Sequence, residues 1–399
     1  MKISGIIAEY NPFHNGHKYH IDKVRDNGAD GIVAVMSGNF VQRGEPAIED
    51  KYQRAKSALI GGVDLVLELP SAYATSSAEI FAKSGVDILN RLGCVDEISF
   101  GAEEDNILSL KKIAAALQNE DTDNLLKEKL KEGISYPTAL DYAVGQVIGM
   151  EYSVIMRQPN NILAIEYLKA LNRSESQMTP FAVKRAGCNH DSDTPIGNIA
   201  SASFIRDNLR IGKTDVLKDY MPATSESILK GNIEKGDALI DLDIFEKAVL
   251  SKLRFLPLSY FSKLPDVSEG IENRLHSAIA ISRTLDELYG YVKTKRYTHS
   301  RIRRLILQAF LGISAKDITG EIPYVRVLGF NDVGRSILKE MKFNATIPVI
   351  MKASDIADLH SDKADRIFNI ECRGSDQYFL FTPTVRPCGT DKTANIIRL

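Results

Sequence analysis

The 399-residue chain predicts an α/β protein: a parallel sheet covered by helices on both faces, followed by a mainly helical region. Three observations carry this. The strand-like runs are continuously apolar rather than alternating, which marks strands buried on both faces. Amphipathic helical segments separate them, the βα alternation of parallel sheets. The alternation stops at Gly212-Lys213, and helical periodicity then dominates to about residue 345. The expected division is therefore 1–212 and 213–399, and two domains are ordinary at this length.

Ile3 to Ala8 is the first strand. A turn at Asn11-Pro12 leads to a helix that starts around His14-Asn15-Gly16-His17. Ile32 to Met36 is the second strand, ended by Ser37-Gly38. Glu49 to Ile60 is a helix with Lys51 and Arg54 outside its apolar face, halted by Gly61-Gly62. Asp64 to Leu69 is a strand closed by Pro70. Ser76 to Leu92 is a helix with Gly93 as its C-cap, and Glu97 to Phe100 is a strand stopped by Gly101. Residues 105–150 read as helices, Asn161 to Leu171 as another, Pro180 to Lys184 as a strand, and Ala200 to Arg206 as a loop entering a helix. Further helices are expected at Ile244 to Leu253, Gly270 to Ile281, Leu285 to Thr294, Arg301 to Phe310 and Gly334 to Met341. The stretch Thr346 to Leu399 reads as mixed short strands.

Composition excludes several classes. The chain is 44% hydrophobic and 26% charged, as soluble globular proteins are. It has no apolar run of membrane-spanning length, and its N-terminus does not read as a signal peptide. Cys94, Cys188, Cys372 and Cys388 are too widely spaced for a metal or disulfide pattern, so a reducing cytoplasm is expected. A net charge of −2 means that any nucleic acid must be held by a local patch.

In open parallel sheets the ligand lies beyond the carboxyl ends of the strands. Tyr10 to His17, Ser37 to Arg43, Pro70, Gly101 and Lys184-Arg185 all fall there. His14 and His17 are three apart at a helix start and so share a face. Gly16 lets a ligand approach the backbone, and the helix N-terminus offers free N–H groups to phosphate. When an acid attacks the α-phosphate of a nucleoside triphosphate, charge grows on the phosphoryl oxygens and on the leaving pyrophosphate. Imidazole N–H donors stabilise that charge. The rival is zinc on a His14–His17–His20 stripe, but no carboxylate or cysteine stands near it in sequence.

Other positions carry two readings each. Asn39, Gln42 and Arg43 face a second substrate or belong to an ordinary crossover loop. Lys51 and Arg54 meet phosphates or are solvated. Gly101 makes a tight turn or lets the backbone contact adenine or ribose. Asn160 and Asn161 precede a helix, so one of them is merely an N-cap or a ligand contact, and the sequence leaves open which. Ser201-x-Ser203-x-x-Arg206 holds phosphate, or one serine merely caps a helix. Tyr291 to Arg304 carries six Lys/Arg and no acid, with tyrosines and a histidine interleaved. It is a solvated helix face or an RNA-backbone patch of Lys293, Lys295, Arg296, Arg301, Arg303 and Arg304, with aromatics for stacking.

Strand, turn, His-x-Gly-His, helix is the signature of the nucleotidyltransferase superfamily and of class I aminoacyl-tRNA synthetases. The blocks Gly5 to His17, Met36 to Pro46, Pro159 to Leu163, Ser201 to Arg206 and Lys295 to Arg304 more closely resemble the bacterial tRNA(Met) cytidine acetate ligases, over essentially the whole chain. The resemblance implies a Rossmann-like nucleotidyltransferase domain that binds ATP, then a mainly helical RNA-binding domain. It implies two steps. Acetate and ATP give acetyl-adenylate, and N4 of the wobble cytidine (position 34) of elongator tRNA(Met) then takes the acetyl group, giving N4-acetylcytidine and AMP.

The resemblance places His14 and His17 in catalysis. It places ATP along Ile7, Ala8, Glu9, Tyr10, Asn11, Pro12, Phe13, His14, Asn15, Gly16, His17, Lys18, Tyr19 and His20, with Gly101, Asn161 and Arg185 as further contacts. Mg2+ is expected with the triphosphate but on no ligand motif. Acetate and elongator tRNA(Met) are the expected partners, with no DNA and no membrane. His190 and Asp191 receive no role. Two other functions stay open: a small-molecule adenylyl- or cytidylyltransferase, which has no need of the 291–304 patch, and a tRNA-binding protein with a regulatory nucleotide site.

Overall fold

The computed structural model describes residues 1–185 and 195–399. Cys188 and the segment 187–191, with His190 and Asp191, lie outside the described residues. Ten strands are described: β1 (Ile3–Ala8), β2 (Gly31–Ser37), β3 (Phe40–Val41), β4 (Glu45–Pro46), β5 (Leu65–Leu69), β6 (Glu97–Ala102), β7 (Thr179–Lys184), β8 (Val325–Phe330), β9 (Val349–Ile350) and β10 (Ile397–Arg398). The main sheet runs β10-β8-β5-β2-β1-β6-β7, with β9 beside β8. Its first five strands in sequence pair in parallel, Ile6 opposite Ala34 and Ser99. The expected α/β class with a parallel core is the observed one. β2 is buried along its whole length, as a two-sided strand must be.

The helices α1 (Asn15–Asp26), α2 (Lys51–Ile60), α3 (Ser71–Ala74) and α4 (Ala78–Arg91) connect these strands. Ser77 caps α4, and Gly93 takes φ +70 after its C-cap, so this helix ends where expected. Gly61 ends α2 beside Phe13: a Cβ there would lie 2.3 Å from the Phe13 ring.

Two features differ from the sequence reading. The sheet does not end at residue 212: β8, from within the helical stretch, pairs antiparallel with β5, and β9 and β10 follow it. Residues 346–399 are not mainly short strands, because Asp362–Tyr378 is a 17-residue helix. Its apolar residues Ala364, Ile367, Phe368 and Ile370 are buried at helical spacing, a period that was present in the sequence. Between these, the helices Leu242–Phe255, Ile271–Ile281, Leu285–Val292 and His299–Leu311 form the helical part, and their apolar faces join the main core.

Lys51 and Arg54 are buried, neither solvated nor in the cleft described below. Lys51 Nζ donates to Glu68 Oε1 at 2.5 Å and to Asp391 Oδ2 at 2.7 Å. Asp391 also accepts from Tyr52, Ser375 and Arg326. This ties the last ten residues to the edge of the N-terminal sheet. Arg54 gathers the carbonyls of Glu9, Ser37, Gly38 and Glu49. It thus locks the ends of β1 and β2 together, since a buried guanidinium is stable only with its donors filled. Among the described residues no helix is long and apolar enough to cross a membrane.

Candidate nucleotide site

A cleft opens beyond the carboxyl ends of β1, β6 and β7, where α/β sheets bind ligands. Of the expected ATP contacts, Ile7, Ala8, Glu9, Tyr10, Asn11, His14, Gly16, His17, Tyr19, His20, Gly101 and Arg185 line it. Pro12, Phe13, Asn15, Lys18 and Asn161 do not. Phe13 is buried against Gly61. Asn15 donates to the carbonyls of Asn198 and Asp219, and Lys18 pairs with Asp22 on the surface.

His14 is the N-cap of α1, an uncommon residue there. Its Nδ1 accepts the Gly16 N–H at 3.0 Å, and His17 Nδ1 accepts the His14 N–H at 3.2 Å. The rings stack with centroids 3.8 Å apart. These bonds assign the tautomer: with Nδ1 accepting, the proton of each neutral ring is at Nε2. Burial, then Arg185 and Arg206, push the His14 pKa down to about 3. Burial and His14 drive His17 well below its ordinary value. Both rings are therefore neutral N–H donors at neutral pH.

The amides expected to hold phosphate are otherwise engaged. The N–H of Gly16 goes to His14 Nδ1, and those of His17 and Lys18 go to the His14 carbonyl. Gly16 serves the ring as well, because a Cβ there would lie 2.8 Å from His14 Cε1. His20, pushed down to about 4 by burial and Arg185, shares a 2.8 Å hydrogen bond with Ser99. Among the described residues no group of three or more His, Cys, Asp or Glu side chains is placed to hold a metal ion.

The paired readings at other positions separate. Asn160 lines the cleft, and its Oδ1 accepts from Arg185 at 3.3 Å. Asn161 is fully buried behind it. Its Oδ1 accepts the N–H groups of Glu103 and Glu104, and its amide donates to Ile155 and Gln158. Neither is an N-cap, which is Gln158. Ser201 caps the helix Ala202–Arg210, leaving Ser203 in the cleft wall, where its hydroxyl accepts from Arg43 at 2.9 Å. Arg206 donates to the Asn11 carbonyl at 2.8 Å and pairs with Glu45 at 3.1 Å. Gln42 and Arg43 line the cleft. Asn39 instead accepts the Lys51 N–H and donates to Ser375. Phe81, Leu163 and Tyr167 supply apolar wall that the sequence reading missed. A helix period marks them as buried without saying what they border.

The basic segment lies on a loop and the start of the helix His299–Leu311. Lys293, Lys295, Arg296 and Arg303 are exposed. Arg301 and Arg304 are half-buried, and Arg301 is bonded to the Asp266 carbonyl and Ser268. Tyr297 is buried, its hydroxyl donating to the Glu269 carbonyl, so it offers no stacking face; Tyr291 is exposed. This helix touches the cleft loop. At Gly44, with φ +82, a Cβ would lie 2.9 Å from Arg303 Cβ.

A parallel α/β sheet with a neutral histidine pair at the first helix defines a nucleotidyltransferase of the His-x-Gly-His class. The HIGH Nucleotidyl Transferase family model accordingly matches residues 1–392. Relatives named tRNA(Met) cytidine acetate ligase are 39% identical in Acetivibrio thermocellus and 42% in Thermoanaerobacter sp. (strain X514), covering all of both chains. One from Clostridium novyi is 42% identical over 88% of this chain and 90% of its own. Crystal structures of Thermotoga maritima TmcAL, apo and bound with alpha-thio ATP, superpose with TM-scores of 0.95 and 0.93 at 33% and 32% identity, covering all of both chains. The chain belongs to the tRNA(Met) cytidine acetate ligase family.

Proposed function

We infer that this protein is an ATP-dependent ligase that activates acetate as acetyl-adenylate and transfers the acetyl group to N4 of the wobble cytidine of elongator tRNA(Met). The observation that carries it is the cleft itself. It sets two neutral imidazoles beside a loop that abuts an exposed basic helix, in a chain whose relatives bear that name.

In the first step the acetate oxygen attacks the α-phosphorus and pyrophosphate leaves. His14 and His17 donate from Nε2 to the phosphoryl oxygens as charge accumulates there. Because their Nδ1 atoms are already held by the backbone, the rings need no reorganisation during reaction. Arg43, Arg185, Ser203 and Arg206 supply further donors on the cleft wall. Magnesium accompanying the triphosphate would be held by its phosphate oxygens and water; among the described residues no group of three or more His, Cys, Asp or Glu side chains is placed to hold a metal ion. Phe81, Leu163 and Tyr167 keep water from the acyl-adenylate.

In the second step the tRNA backbone lies on Lys293, Lys295, Arg296 and Arg303, and the cytidine is splayed from its loop into the cleft. Those substrates place the protein in the cytoplasm. The test incubates tRNA with the protein, ATP and isotope-labelled acetate, and analyses the nucleosides by mass spectrometry. Labelled N4-acetylcytidine that disappears in the His14→Ala, His17→Ala variant is expected. Bound ATP with no label in any tRNA refutes the reading and favours a small-molecule nucleotidyltransferase.

A further inference from the structure

We propose that Glu9 is the general base of the transfer step, accepting the proton that the cytidine N4 sheds as it is acylated. The inference rests on the ligase reading and adds a residue role to it. As the N4–carbonyl bond forms, the C–O bond to the adenylate breaks, and its electron pair leaves with AMP. The amine's lone pair is delocalised into the pyrimidine, so N4 is a weak nucleophile, and its N–H becomes acidic only as the new bond forms. A base positioned at that proton therefore accelerates the step.

The cleft offers few acceptors. His14 and His17 use Nδ1 on backbone N–H groups and carry protons at Nε2. His20 is engaged with Ser99. Arg43, Lys184, Arg185 and Arg206 are cations. Among the described residues that line the cleft, Glu9 is the only carboxylate.

Its position suits the task. Glu9 is near the end of β1, five residues before His14. Its Oε1 accepts the Gln42 N–H at 2.8 Å, and its Oε2 has no hydrogen-bond donor among the described residues. Two residues beyond Gln42, Gly44 touches Arg303. The carboxylate thus shares the cleft with His14 and His17 and is bonded to the loop that, two residues on, touches the basic helix. Burial raises its pKa, the Gln42 amide, Arg43 and Arg206 pull it back, Glu45 adds to the rise, and the net direction is up. Arg54 and Tyr167 also face it, Arg54 through the Glu9 carbonyl.

The test separates the half-reactions. Acetate-dependent exchange of pyrophosphate into ATP reads the first, and single-turnover transfer from preformed enzyme-bound acetyl-adenylate to tRNA reads the second. Glu9→Gln keeps an oxygen for the Gln42 N–H. It is expected to slow transfer about 10²–10³-fold, and to lower exchange by a much smaller factor. Wild-type transfer should rise with pH to a plateau, and the variant should be slow and flat. Equal losses in both half-reactions overturn the proposal. So does transfer at the wild-type rate and pH dependence, which assigns the proton to a phosphate oxygen of the adenylate. If the variant does not fold, a wild-type transfer rate that does not fall as pH is lowered into the carboxylate range overturns it. Absence of N4-acetylcytidine with the wild type refutes the ligase reading itself.

Discussion

Gly16→Ala should separate catalysis from stability in this cleft. The new Cβ would lie 2.8 Å from His14 Cε1 and 3.0 Å from Nδ1, well inside van der Waals contact, so the imidazole must rotate away. Two stability effects then oppose each other. Losing the cap bond from the Gly16 N–H to His14 costs about 1 kcal/mol. Replacing glycine by alanine in the first turn gains up to about 1 kcal/mol. They cancel nearly, and Tm should move by about 2 °C or less. Catalysis has no such compensation. A ring displaced by about 1 Å leaves its Nε2 donor misaimed, which costs about 10²-fold, and the His17 ring stacked on it shifts too. The assay is acetate-dependent pyrophosphate exchange beside a thermal melt. Exchange within threefold of wild type, a factor well below that ~10²-fold, with an unchanged melt refutes the claim that Gly16 sets the position of His14.

Asn161→Ala should lower stability by about 2–4 kcal/mol, since it leaves the Glu103 and Glu104 amides without their buried acceptor. Asn160→Ala should raise KM for ATP with little change in the urea midpoint; the reverse pattern would exchange their roles. Asp391→Asn should destabilise by about 3 kcal/mol or more, because Lys51 and Arg326 remain buried with one countercharge fewer. An unchanged urea midpoint would remove that network from the account. His14 and His20 are neutral in the fold down to about pH 3 and 4, whereas their unfolded forms bind protons below about pH 6.5. At these two sites the unfolded state therefore binds more protons, so their contribution to stability is complete above pH ~6.5 and falls as pH drops below it, by about 1.4 kcal/mol per unit per histidine. It is opposed by Glu49 and Glu371, whose carboxyls burial pushes up to about 8. An NMR titration in which either imidazole of the folded protein takes up its proton between about pH 5 and 7 contradicts the buried neutral assignment. Finally, Arg303→Ala should raise KM for tRNA and lessen its salt dependence by about one phosphate contact; a KM and salt slope equal to wild type would move the RNA surface elsewhere.

Strands buried on both faces read directly as apolar runs, so β1, β2, β5 and β6 were visible, as was the histidine pair at the first helix. β8 was hidden within helical surroundings, because a six-residue run interrupted by Arg326 carries no sign of which distant edge will accept it. Lys51 and Arg54 looked like ordinary surface cations. Their burial depends on Asp391 and on three converging loops, contacts between residues up to 340 positions apart. Asn160 and Asn161 are neighbours of one type, and only the direction in which each side chain leaves its helix tells them apart.

The sequence by itself determined the α/β class, the cleft's place at the strand ends and many of the residues that line it. Those follow from periodicity and local chemistry, which act over a few residues. Tertiary structure alone decided the burial that keeps His14 and His17 neutral, the burial of Lys51 and Arg54, and the approach of the basic helix to the cleft loop. Each depends on desolvation or on contact between segments far apart in the chain, and neither is a property of a short stretch of residues.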